Sequence, residues 1–289
     1  MNQPRTGSAT YGGYRTRTVE LDGSGPCLVL VHGFADSADT WNGVLAELAE
    51  LGRSALAVDL PGFGDADLLQ PGPVFPQLDR FLAGLVAEQT RYGDVILVGN
   101  SLGALASLRA ADHGLPVRGV VAIGQPALGD NRLLRAFLAT RTTLLVRILS
   151  LPLLAPAVLR RWLVAQAVQI FVYADRRAAD PAVSARFADF ITVRGGHGWV
   201  VRQARLLAAE VEDCYQFDQI CCPLFVVHGA QDRVIPVNAA EALHSHVPHS
   251  DLVVMPTWGH CPQLDDPAGV ARIVVDFADG CRSTQDRVG

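Results

Sequence analysis

The chain contains no lysine: all 24 basic positions among its 289 residues are arginine. That absence excludes Schiff-base chemistry, a pyridoxal-phosphate lysine and the lysine of a P-loop, each of which needs a primary amine. An excess of positive charge is also missing. The net charge is −5, so no overall basic field gathers nucleic acid or anionic lipid. Apolar runs stop short of a membrane span: the charge-free stretches 148–159 and 162–174 fall below the ~18–20 residues a spanning helix needs. Pro152 and Pro156 also interrupt the first. No integral membrane segment is expected. The six cysteines (Cys27, Cys214, Cys221, Cys222, Cys261 and Cys281) show no CxxC spacing. Most lie in apolar stretches, where cysteine behaves as a small buried hydrophobe. That usage points to a reducing, cytoplasmic setting. Residues 1–13 lack the apolar region of a signal peptide and are expected to form a loose tail, as are residues 281–289.

What is present is apolar material, 49% of the chain, enough for a sizeable core. The length suits one large α/β domain with an insertion, or two small domains. Residues 14–21 alternate polar and apolar side chains and read as an edge strand. The run Cys27-Leu28-Val29-Leu30-Val31 reads as a strand buried on both faces. Strand patterns recur at 54–58, 95–98 and 117–123, with helical patterns at 41–51, 78–92 and 104–111 between them. This alternation predicts a mostly parallel, doubly wound sheet, in which ligands gather at the carboxyl ends of the strands. From residue 127 to 217 no buried strand is evident, and Leu-, Val- and Arg-rich helical stretches at 133–149, 158–173 and 199–211 take over. We read 127–217 as a helical cap inserted between core segments 14–126 and 218–280. The strand rhythm returns at 223–227 and 251–255, followed by a helix over 267–278.

The residues that carry chemistry cluster at the predicted strand ends. Val95-Ile96-Leu97-Val98 runs straight into Gly99-Asn100-Ser101-Leu102-Gly103 and then an Ala/Leu-rich helix. A strand, a sharp Gly-x-Ser-x-Gly turn and a helix together form a nucleophile elbow. A Cβ at Gly99 or Gly103 would crowd the neighbouring strand or helix. A serine hydroxyl is a poor nucleophile at neutral pH and needs a base, plus a third group orienting that base. Asp232 follows the strand at 224–227 and His260 follows the strand at 252–255. Serine, aspartate, histidine is the chain order this topology demands. Gln125 occupies the other strand end that could supply an acid, and it cannot ionise. The backbone N–H groups of Leu102 and Phe34 are the candidate oxyanion donors.

These stretches resemble the α/β-hydrolase superfamily. The resemblance rests on His32-Gly33-Phe34, Asp59-Leu60-Pro61-Gly62-Phe63-Gly64, the Ser101 pentapeptide, Gln231-Asp232-Arg233-Val234-Ile235-Pro236 and Gly259-His260-Cys261-Pro262, in that order. It implies an eight-stranded sheet, a Ser-His-Asp triad and a cap between the sixth and seventh strands. Ser101 separates the chain from the haloalkane dehalogenase and epoxide hydrolase branches, whose nucleophile is aspartate. The glutamate usual after Gly259-His260 is replaced around Leu264-Asp265-Asp266-Pro267.

The other histidines have plainer readings. His32 and His228 close strands and are expected to brace backbone. His244, His246 and His249 lack ligand spacing for a metal, and no metal or cofactor is called for. His197, between glycines beside Trp199, is a candidate substrate-facing group. Phe34, Trp41, Trp199 and Trp258 are candidate walls of an apolar acyl pocket, with core packing as the alternative. Together these readings point to a serine hydrolase that cleaves an ester-like bond of a small apolar substrate through an acyl-enzyme. C–C bond (meta-cleavage-type) hydrolysis and a cofactor-free haloperoxidase-like activity use the same triad. A non-catalytic ligand-binding protein on this fold is the alternative from another class. The Arg/Leu helices of the insertion suit either covering the active site or lying on a membrane surface.

Overall fold

The structure is a computed structural model that describes residues 2–126, 157–194, 196–211 and 217–281. Its centre is one eight-stranded sheet: β1 (Arg5–Tyr11), β2 (Tyr14–Leu21), β3 (Ser24–Val31), β4 (Arg53–Val58), β5 (Val95–Asn100), β6 (Gly119–Ile123), β7 (Leu224–Gly229) and β8 (Asp251–Met255). The order across the sheet is β1-β2-β4-β3-β5-β6-β7-β8. The β1/β2 and β2/β4 pairs are antiparallel, and every pair from β4/β3 to β7/β8 is parallel.

Residues 5–11 are not a loose tail. They pair with β2 in register from Arg5↔Glu20 to Tyr11↔Tyr14. The edge of the sheet is therefore β1, and β2 lies one strand inside it. The turn between them is Gly12-Gly13, with φ of 55° and 84°. Two positive-φ residues make the tight hairpin whose twist matches the strands. The strand itself carries almost no apolar signal, because all of it up to Tyr11 is exposed or half-buried. The Gly-Gly pair was the readable clue.

Side-chain alternation splits the core into two layers. Leu28 and Leu30 of β3 face a layer with Ile96, Val98 and Val121. That layer is covered by α1 (Asn42–Glu50) and by the C-terminal helix Pro267–Gly280. Val29 and Val31 face the other side with Leu97 and Val120. There α2 (Phe75–Gln89) and α3 (Leu102–Asp112) cover the sheet, together with the helix Asn238–His246. Between β6 and β7 the described residues form α4 (Ala157–Phe171), α5 (Pro181–Asp189), a π-helical turn (Phe190–Arg194) and α6 (Gly196–Val211). Asp180 caps α5 by accepting from the Ala182 N–H at 2.7 Å, with Pro181 in the first turn where a missing N–H costs nothing. The helix expected from residue 199 begins already at Gly196, and the helix expected at 133–149 lies outside the described residues. No helix among the described residues is long and apolar enough to cross a membrane.

One buried carboxylate fastens the loop after β4. Asp59 accepts from Arg17 Nε at 3.0 Å and Nη2 at 3.2 Å, from the Ala38 N–H at 2.7 Å and from the Asp65 N–H at 2.8 Å. Burial alone would raise its pKa, but Arg17, His32 and the two N–H groups outweigh it and hold the carboxyl below its ordinary 3.8. A depressed carboxylate stabilises the fold above its unfolded pKa, and that contribution is lost as pH falls through the folded value. Asp59→Asn is expected to lower unfolding free energy at neutral pH by about 2 kcal/mol, since it removes the fully buried partner of Arg17 and leaves Asp39, at 2.7 Å, as its close counter-charge. Urea unfolding of the two proteins at equal m-value measures it.

Candidate active site

The elbow follows from backbone crowding. β5 delivers the chain to Ser101, and α3 leaves from Leu102. A Cβ on Gly99 would lie 2.3 Å from the Gly103 carbonyl oxygen, and one on Gly103 would lie 2.2 Å from that of Val31. Both neighbours are backbone and cannot move aside. Ser101 itself is held at φ 53°, ψ −112°. Among the described residues only Ala35, at φ 60°, is another non-glycine with positive φ. Strain of this kind costs about 1–3 kcal/mol and persists only where its surroundings enforce it. Here the Ser101 N–H donates to the Ile123 carbonyl at 2.9 Å and the Leu105 N–H donates to the Ser101 carbonyl at 3.0 Å. Leu102 is the first residue of its helix, so its N–H has no acceptor within that helix. Gly33 packs on the serine from the β3 end: a Cβ there would lie 3.3 Å from Ser101 Cβ. Phe34 follows directly, partly buried.

Asp232 does two jobs with two oxygens. Oδ1 accepts from the Val234 N–H at 2.7 Å and the Ile235 N–H at 2.8 Å, which sets the turn after β7. Oδ2 accepts from His260 Nδ1 at 2.8 Å. One carboxylate thus both caps its own turn and holds the imidazole of His260. Burial would raise the Asp232 pKa. The facing His260, the Ile235 N–H and His228 together overcome it and hold the carboxyl below its ordinary value. With Nδ1–H committed to Asp232, the imidazole carries its other lone pair on Nε2.

Asn100 ties the elbow to the histidine loop. Fully buried, it donates from Nδ2 to the His260 carbonyl at 2.9 Å, and its Oδ1 accepts from Gln263 Nε2 at 3.2 Å and from the Cys261 thiol at 3.3 Å. Cys261 is an inert thiol: burial, with Asp36 and Asp232 nearby, pushes its pKa well above 9.0.

A clasp joins the same loops to α4. The Arg233 guanidinium donates to the Ile170 carbonyl at 2.8 Å, to Tyr173 at 3.1 Å and to Ala174 at 3.2 Å. The Cys261 N–H donates to the Val172 carbonyl at 3.2 Å. Asp265 accepts from the Gly259 N–H at 2.7 Å and the Ala174 N–H at 3.0 Å, so a carboxylate does serve the stretch where the usual glutamate is absent. A Cβ on Gly259 would meet Ala174 N at 2.6 Å. Neither Arg233 nor Asp265 advertised this role: partners about 60 and 90 residues away leave no local pattern.

The proposed pocket walls divide. Phe34 and Trp199 pack on Phe63, with ring centroids at 5.3 Å and 5.9 Å, and Phe190 stacks beside them. These aromatic rings lie between the strand ends and the inserted helices. Trp41 and Trp258 do not belong to that group. Both are buried in the core layer under α1 and the C-terminal helix, because their backbone positions point to the opposite face of the sheet. His197 falls within α6, and its side chain lies outside the described residues. His32 is wholly buried: Nδ1–H donates to the Gly33 carbonyl at 2.7 Å and Nε2 accepts from the Leu60 N–H at 2.9 Å. His228 donates from Nε2 to the Ile235 carbonyl at 3.0 Å. Burial lowers the pKa of both. His244 bonds to Ser250 and His246 pairs with Asp218.

A model of the alpha/beta hydrolase family matches residues 28–273, and the chain belongs to that family. The uncharacterized protein Rv2715 of Mycobacterium tuberculosis is 30% identical over 300 residues, covering 93% of this chain and 80% of that protein. The pimeloyl-[acyl-carrier protein] methyl ester esterase of Aeromonas hydrophila is 28% identical over 273 residues, covering 90% and 98%. Among solved structures, the 2-hydroxy-6-oxo-6-phenylhexa-2,4-dienoate hydrolase of a Rhodococcus strain superposes with a TM-score of 0.77 at 20% identity, covering 96% of this chain and 99% of that one. An esterase from Thermogutta terrifontis does so with 0.74 at 21%, covering 96% and 100%. Fold and family are thereby set, and the similar proteins that carry an activity name include esterases.

Asp36, two residues beyond Phe34, gives the site a pH signature. Its carboxyl is buried, with the Ser37 N–H on Oδ1 at 2.8 Å, and the Ser37 N–H, Thr40 and Arg186 offset only part of the cost of burial. Burial pushes its pKa from 3.8 up to about 7. A raised carboxyl binds its proton more tightly folded than unfolded, so stability is highest below 3.8 for this group and declines as pH rises towards 7. Asp36→Asn is expected to flatten that part of the stability–pH curve, read by urea midpoints across the window.

Proposed function

We propose that the protein is a serine hydrolase that cleaves an ester-like bond of a small apolar substrate through an acyl-enzyme. The single observation that carries the reading is the His260–Asp232 hydrogen bond of 2.8 Å, fastened by Asn100 to the loop that holds Ser101 at positive φ. In this reading Ser101 Oγ attacks the carbonyl carbon while His260 Nε2 takes the hydroxyl proton. Asp232 keeps the imidazole in the needed tautomer and steadies the imidazolium that forms. The N–H groups of Leu102 and Phe34 donate to the oxyanion, aided by the N-terminal end of α3. Collapse of the tetrahedral intermediate returns the proton from His260 to the leaving alkoxide. Water then adds to the acyl-enzyme by the same route and frees Ser101 and the acid.

The rings of Phe34, Phe63, Phe190 and Trp199 favour an apolar acyl group, since burial against such walls supplies most of the binding. We take residues 127–217 as a helical cap over the core formed by 14–126 and 218–280. We place the protein in the cytoplasm, a reading supported by the free thiols of Cys27, Cys221, Cys222, Cys261 and Cys281.

Ser101→Ala and His260→Ala are expected to remove ester hydrolysis with folding intact, and Asp232→Asn to lower kcat by about 10⁴ through the wrong tautomer. A p-nitrophenyl ester series is expected to rise in kcat/KM beyond acetate. Preference for acetate over every longer chain defeats the apolar pocket. Acid release from a vinylogous diketone with all esters untouched replaces the reading by C–C bond hydrolysis. Activity that survives Ser101→Ala defeats the nucleophile.

A further inference from the structure

The helix α4 presents an apolar face to the outside. Nine large apolar side chains are exposed among the described residues, and six of them lie on this one helix. At 3.6 residues per turn, Val158, Leu159, Trp162, Leu163 and Ile170 fall within a single arc. Val158 is 80% exposed and Trp162 56%. The opposite side is what holds the helix to the protein, through the buried Val164 and Val168. Arg160 and Arg161 flank the outward arc, one on each border, and Arg161 is paired with Asp189 at 2.5 Å.

Charge sets this helix apart from the rest of the molecule. From Ala157 to Phe171 it carries Arg160 and Arg161 and no acidic residue, in a chain whose net charge is −5. An apolar arc bordered by arginine, with a tryptophan at its centre, is the composition of a helix lying in a bilayer interface. Tryptophan settles at headgroup depth, the aliphatic side chains enter the acyl boundary, and arginine meets anionic headgroups. We propose that α4 docks the protein on the surface of an anionic phospholipid bilayer. The Arg233 and Cys261 hydrogen bonds hold the far end of the same helix against the Asp232 and His260 loops, so the docked surface is one helix away from the candidate active site.

The test uses the full chain and sucrose-loaded vesicles of phosphatidylcholine, alone or with about one-third phosphatidylglycerol. The protein is expected to sediment with the anionic vesicles, to do so less in high salt, and to shift its tryptophan emission to the blue. Trp162→Ser with Leu163→Ser is expected to cut the sedimented fraction at least about fivefold, and Arg160→Glu by a similar factor. Neither change should alter hydrolysis of a soluble short-chain ester, which checks folding without reference to lipid. Sedimentation no higher than in vesicle-free controls overturns the proposal. So does sedimentation that the double variant leaves unchanged. Light scattering that shows a dimer, dissociated by the same variant and indifferent to vesicles, assigns the face to a second copy of the chain and overturns it equally.

Discussion

The structure depends on one close approach of backbone to backbone. Where β5 becomes α3, Gly99 lies against Gly103 and Gly103 lies against β3, with no room for a Cβ at either. The turn can then be tight enough to force Ser101 into a positive-φ conformation. Lifting that residue out of the sheet costs local strain, which the buried strands and the first turn of α3 oppose. Everything chemical is arranged around this fixed point, because a rigid scaffold can hold neighbouring side chains in place far better than a loop can.

Around the fixed point, polar side chains do the joining. Asn100 links the serine loop to the His260 carbonyl. Asp232 spends one oxygen on its own turn and the other on the imidazole. Arg233 and Asp265, each beside one of those loops, reach the carbonyls and N–H group at the end of α4. Singly these bonds are modest, about 1 kcal/mol net for the neutral Asn100 bond and about 1.5–3 kcal/mol for those to charged groups. Their effect comes from sharing: a shift of α4 would strain the acid loop and the histidine loop together. Most of these groups are buried, so their loss leaves unsatisfied partners and costs more than the bond itself.

Sequence carried much of this. The sheet's parallel centre was legible because buried strands such as 27–31 and 95–98 are unbroken apolar runs. The Gly-x-Ser-x-Gly elbow was legible because its glycines answer a steric need that no other residue meets. Asp232 and His260 could be picked out by their place at strand ends. The strand at 5–11 was missed because an exposed edge strand has no apolar face to display, and its register is set by a Gly-Gly turn. Trp41 and Trp258 stood open between pocket wall and core, where they lie, because aromatic character does not say which face of a sheet a side chain serves. The Arg17–Asp59 pair, the Asn100–His260 link and the α4 clasp join residues far apart in the chain, and only the folded backbone brings them together.

The central claim is that Ser101 is the nucleophile, activated by His260 and Asp232. Labelling with a fluorophosphonate, followed by tryptic mapping, tests it most directly. Cleavage after Arg91 and Arg109 places Ser101 in the peptide of residues 92–109. The account predicts one adduct per chain, on Ser101 in that peptide, formed far more slowly in His260→Ala. An adduct on any other residue, or labelling at an undiminished rate without the imidazole, contradicts it.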